Sequence, residues 1–166
     1  MICQSSRRVM AAWSVTAAAF LIAGVSASAD THGPAEDLEP REVVRIQLDA
    51  LRDNGPDNDG IEKTFSFASP ANRESTGPLD RFADLFRSPA YRPMLNHESS
   101  EVREVVANDD VAAVSANISR ADGSTHEYLF ILSKQSDPPY EDMWMTDAVQ
   151  YGGAGSPGEP DPENRI

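Results

Sequence analysis

The sequence predicts an α+β domain in which N-terminal helices pack on a curved antiparallel sheet of four to five strands. Three observations carry this expectation. Apolar residues recur at helical spacing over residues 40–53 and again over 78–87. Strand-like alternation takes over from about residue 101, and turn signals such as Ala121-Asp122-Gly123-Ser124 divide the strands. Helices first and strands afterwards argue for helices gathered on one face of an antiparallel sheet.

Within Pro40–Asp53, Val44, Leu48 and Leu51 fall on one side at about 100° per residue, with Val43, Ile46, Gln47 and Ala50 filling the adjoining arc. Glu42, Arg45, Asp49 and Arg52 take the opposite face. Gln47 therefore stands in the middle of the buried side, where its amide must find partners. Two roles are open to it: tying down the backbone of the proline-rich connector described below, or facing a ligand cavity. Residues 54–60 read as a turn by composition, and they fail as a calcium loop. With Gly60 in the glycine position, Gly55 and Ser66 stand where acidic ligands are required.

A short second helix is expected over Ile61–Phe67, and a third over Pro78–Arg87 with Leu79, Phe82, Ala83 and Phe86 on one face. Between them Ser69-Pro70 and Gly77-Pro78 each have the form of a cap followed by proline. The intervening Asn72, Arg73, Ser75 and Thr76 read as a polar loop. Tyr91–Leu95 is a short edge-strand candidate because of Pro93. Strands are expected over 101–107, 111–119, 127–133 and 143–151. Tyr128–Leu132 is apolar on both faces and so belongs in the middle of the sheet.

Residues 1–29 have the form of a secretory signal: Arg7-Arg8, an apolar run from Val9 to Val25, and Ala27-Ser28-Ala29 before the expected cleavage. The pattern predicts export to the periplasm or beyond, without a stable membrane anchor, and the paired arginines leave a twin-arginine route open. Residues 30–38 read as a flexible leader, 39–151 as a single domain and 152–166 as a disordered acidic Pro/Gly tail. The chain carries 14 basic and 27 acidic residues, a net −13. Loss of the two signal arginines takes this to −15, which excludes nucleic-acid binding through the overall field. Cys3 is the one cysteine and lies in the signal, so no disulfide is expected.

No cofactor or metal is expected. His32, His97 and His126 lack ligand spacing and each reads as solvent-facing, and no phosphate or dinucleotide loop occurs. The chemistry-bearing candidates are Ser69, Asn72, Arg73 and Thr76, a set of short donors around a guanidinium suited to a carboxylate or phosphate, with Gln47 beside them. The alternative for Arg73 is to tie loop carbonyls or pair with an acid such as Asp80.

The run Phe65-x-Phe67-Ala68-Ser69-Pro70-x-Asn72-Arg73-x-x-Thr76-Gly77-Pro78 carries a resemblance. So do Gln47-Leu48-Asp49-Ala50-Leu51 before it and Tyr91-Arg92-Pro93 and Trp144-Met145-Thr146-Asp147 after it. Over about Pro40 to Val149 the chain resembles the bacterial family catalogued as domain of unknown function 4864. Its order of elements is similar to the cone-shaped nuclear transport factor and cystatin-like folds. That similarity implies a pocket between layers and makes Asp147, with Tyr128 or Tyr91, a candidate general base for an isomerase or dehydratase. The leading expectation is an exported domain binding a small apolar or anionic ligand. A protein-interaction module, with a homodimer as one form, is a further alternative.

Overall fold

The computed structural model describes residues 33–155. The expected signal over 1–29, the start of the expected leader and residues 156–166 lie outside the described residues. Helices α1 (Pro40–Arg52), α2 (Asp59–Ser66), α3 (Pro70–Thr76) and α4 (Leu79–Leu85) precede strands β1 (Ser99–Ala107), β2 (Val111–Ser119), β3 (Thr125–Lys134) and β4 (Trp144–Gly155). The strands form an open antiparallel sheet in the order β1-β2-β3-β4. The protein is therefore α+β, with four strands among the described residues.

Helix α1 starts where a proline suits the first turn, and Glu39 and Glu42 cap it reciprocally. Its Val43, Val44, Leu48 and Leu51 are buried completely or nearly so, each worth about 1.5–3 kcal/mol relative to exposure. Against them lie Val114, Ala116 and Ile118 of β2 and Tyr128, Phe130 and Leu132 of β3, alternate residues on the inner face. Helix α2 crosses α1 at Gly60, where a Cβ would fall 2.1 Å from the Ala50 carbonyl oxygen. Only glycine permits that approach.

Three expectations are corrected. Tyr91–Leu95 is not a strand: Arg92–Met94 form a 3-10 turn. Pro93 removes a ladder donor, and the Arg120 guanidinium holds the carbonyls of Pro93 (3.1 Å) and Leu95 (3.2 Å). The polar stretch between the two proline caps is helical rather than a loop, since Ser69 accepts a hydrogen bond from the Asn72 amide and starts α3. His97 is buried rather than solvent-facing, its Nδ1 donating to the Met94 carbonyl at 2.8 Å. In addition, β4 runs on to Gly155, past the expected end at residue 151, by pairing with β3 as far as Thr125.

The sheet is unevenly covered. On β1 only Val102 is buried, and Val105, Val106 and Val111 near the β1–β2 turn are exposed. Helix α1 runs beside β1 and β2 and reaches β4, and α3 packs on β4.

Candidate functional site

The segment Phe67–Ser69 runs beside the start of β4 as a short parallel bridge. The Thr146 amide donates to the Phe67 carbonyl and the Ser69 amide to the Thr146 carbonyl, both at 2.9 Å. Asn72 Nδ2 donates to the same Thr146 carbonyl at 2.9 Å. These bonds bring α1, α3 and β4 together around one side chain, Thr146. Its Oγ1 accepts from Gln47 Nε2 at 2.7 Å, and both residues are buried.

Behind this contact is a cavity of about 70 Å³. That is several times the space one water needs and about half of an apolar cavity known to admit benzene. Its floor is apolar and aromatic, formed by Leu51, Ala68, Phe82, Phe86, Met94 and Phe130. Gln47, Thr64 and Thr146 supply polar atoms at one side. The rim is half-exposed and consists of Asn72, Thr76, Leu85, Tyr91 and Val149.

A bulge shapes that wall. Ile131 pairs with Ala148 and Leu132 with Thr146, so Asp147 is the extra residue on β4. In a regular strand, residues three apart face opposite sides. The insertion of Asp147 lets Thr146 and Val149 both line the cavity.

The polar groups are unequally committed. Thr64 Oγ1 donates to the Gly60 carbonyl at 2.8 Å, and Thr76 Oγ1 to the Asn72 carbonyl at 2.7 Å. Among the described residues nothing donates to Gln47 Oε1, and the Thr146 hydroxyl proton has no protein acceptor. One acceptor and one donor therefore remain unspent at the edge of an apolar space.

Of the residues singled out from sequence, Gln47, Asn72 and Thr76 meet at the cavity. Ser69 and Arg73 do not line it. The Ser69 hydroxyl caps α3. Arg73 donates through Nη1 to the Tyr140 hydroxyl at 2.8 Å and through Nη2 to the Ser66 carbonyl. Its guanidinium lies over the rings of Phe65 (5.7 Å) and Tyr140 (5.1 Å). Two aromatic faces and two hydrogen bonds make Arg73 a tie between α3, the end of α2 and the β3–β4 connection.

Asp147 is half-buried, lies outside the cavity lining, and has no hydrogen bond to either candidate tyrosine. Tyr128 gives its hydroxyl proton to the Ala90 carbonyl (2.8 Å) and Tyr91 to the Val149 carbonyl (2.9 Å). Burial, with smaller contributions from Tyr151 and Tyr91, pushes the Tyr128 hydroxyl well above its usual range, so it stays a neutral donor. These tyrosines pin the Ala90–Tyr91 side of the rim to the sheet.

Sequence reasoning missed Thr146 and the aromatic floor. Thr146 lies in the run Trp144–Asp147, in which Asp147 is the ionisable group. Nothing local in the sequence marks a bulge. Phe82 and Phe86 read as helix-face residues and Phe130 as a residue of a central strand, with nothing to show that they meet.

A protein-family model described as Domain of unknown function (DUF4864) matches residues 34–156. No curated protein and no solved structure matches the chain.

Proposed function

The chain belongs to the family described as Domain of unknown function (DUF4864), and from that premise we propose that it is an exported binding domain for a small apolar ligand bearing one hydrogen-bonding group. The observation that carries this reading is the cavity behind Thr146, apolar over its floor and ending in an unspent acceptor, Gln47 Oε1, and an unspent donor, the Thr146 hydroxyl. Ligand sites combine such surfaces with a few placed polar groups. An alcohol, or an uncharged acid at the tip of a short chain, satisfies both atoms at once. A fully ionised head group fits poorly, because Arg73 does not line the cavity and both of its terminal nitrogens are engaged elsewhere. Export is supported by the signal-like pattern of residues 1–29.

The test is a titration with propan-1-ol and butan-1-ol, followed by the amide and methyl NMR signals of the lining residues. Saturable shifts at Ala68, Thr146 and Val149, lost in the rim-blocking variant Val149→Trp, are expected. Shifts that do not saturate, or that persist in Val149→Trp, would overturn the proposal. Native mass spectra of protein purified from the periplasm then search for a resident ligand, as extra mass lost on denaturation.

A further inference from the structure

A second concave surface lies on the opposite flank, between α1 and β1. It encloses about 440 Å³ and is lined by Arg41, Arg45, Asp49 and Arg52 of the helix and by residues 99–103 of the strand. With Arg103 and Glu101, four arginines line the groove with two carboxylates, and Asp53, paired with Arg52 at 3.2 Å, leaves a local surplus of one positive charge on a chain of net −13. The carboxylates are already engaged: Asp49 pairs with Arg52 at 3.0 Å and Glu101 with Arg103 at 2.9 Å. Arg41 and Arg45 are exposed and have no ion pair among the described residues.

The strand side of this groove is an open edge. Five consecutive residues of β1 line it, although alternate residues of a strand point to opposite faces. The groove therefore runs along the edge of the strand and not across one face. β1 pairs with β2 on its inner side, and among the described residues no backbone hydrogen bond joins its outer side to another segment. Asn96 anchors the two walls, its amide donating to the Leu51 carbonyl at 3.0 Å and its side chain to the Arg52 and Asn54 carbonyls.

We propose that this groove docks an extended acidic segment of a partner protein, which adds as a strand to the edge of β1 over Ser99–Arg103 and sets its carboxylates against Arg41 and Arg45. Strand addition takes affinity from main-chain bonds and specificity from alternate side chains. The spacings agree. Arg41 and Arg45 are one helical step of four residues apart, about 6 Å along the axis. Alternate residues of a strand are about 6.6 Å apart. The segment recognised therefore carries acids two positions apart.

A compact anion would use the arginines and leave the strand edge idle. Membranes and nucleic acids offer no strand backbone for that edge to pair with. Charges on an edge also guard against unwanted pairing. Here their sign, opposite to that of the whole protein, rejects basic strands and admits acidic ones.

The test titrates residues 30–166 with the peptide Thr-Glu-Thr-Glu-Thr-Glu-Thr, blocked at both ends, and with its glutamine analogue. Expected are saturable amide shifts over Ser99–Arg103, binding weakened at least about tenfold in the glutamine analogue and in the Arg41→Glu/Arg45→Glu variant, and further weakening as salt rises. Both arginines are exposed, and an unchanged melting temperature shows that the variant keeps its fold. Equal binding of the two peptides, an unaffected variant, shifts mapping away from β1, or no binding would overturn the proposal. Pyrophosphate is the competitor: displacement of the peptide with the same β1 amide shifts would assign the groove to a compact anion and also overturn it.

Discussion

The two outer strands of one sheet meet opposite fates. β4 begins with Trp144, Met145 and Thr146, all buried, and the outer edge of Thr146 is closed by backbone bonds to Phe67 and Ser69 and by the Asn72 side chain. β1 buries Val102 alone, and among the described residues no other strand pairs with its outer edge, which lies beside a row of arginines. Closing an edge with a segment of the same chain satisfies the backbone and shapes an internal cavity. Leaving it open preserves a row of donors and acceptors for another molecule. The two proposals, a small apolar ligand at one flank and an acidic strand at the other, follow from this single asymmetry.

The strongest way to break the closed side is Phe67→Ala. Phe67 is fully buried, and its carbonyl holds the Thr146 amide. A loss of about 3–5 kcal/mol in denaturant unfolding is expected. An equivalent truncation at Val105, 58% exposed near the β1–β2 turn, should stay within about 0.5 kcal/mol. If the two substitutions cost the same, the contrast between the strands is wrong.

His97, just before β1, sharpens the comparison through pH. Burial lowers its pKa, against the opposing hydrogen bond to the Met94 carbonyl, and its Nε2 is buried without a partner. The unfolded chain takes up the proton near the ordinary value while the folded chain resists it. Stability conferred by the neutral ring is therefore complete above about pH 6.5 and falls as pH drops towards the lower folded pKa, by at most about 1.4 kcal/mol per pH unit. Comparing unfolding of wild type and His97→Asn between about pH 7 and pH 5 should show that this slope disappears in the variant.

A smaller effect is expected at the start of α3. Ser69→Ala removes the cap bond to the Asn72 amide and should cost about 1 kcal/mol. Because Asn72 also holds Thr146, the same variant should disturb the NMR signals of Thr146 and Gln47 more than those of β1.

Much of this architecture was legible in the residues. The periodicity of Val44, Leu48 and Leu51 located α1, and the two-faced apolar run of Tyr128–Leu132 placed β3 inside the sheet. Periodicity reports local geometry, and the misses were tertiary. Pro93 marked an irregular position but could not say that Arg120, distant in sequence, would hold a 3-10 turn there. The polar stretch after Ser69 lacks an apolar face, so its helix rests on the cap and on contacts with β4.

At the site, Gln47 was identified because a buried amide demands a partner, but the partner is a side chain 99 residues away, not the connector backbone. Arg73 carried the most conspicuous charge and turned out to be a tie between elements. The arginines of α1 were visible as an outer face; that an open strand edge lies beside them depends on how the chain folds back.

Hydrogen exchange at the two edges, measured residue by residue on the protein without peptide, tests the asymmetry directly. The amides of Ser69 and Thr146 should exchange only through large-scale opening, whereas the outward-facing amides of Ser99–Arg103 should exchange rapidly and become protected when the acidic peptide is added. Strong protection of every β1 amide in the absence of the peptide, or rapid exchange at Thr146, would contradict it.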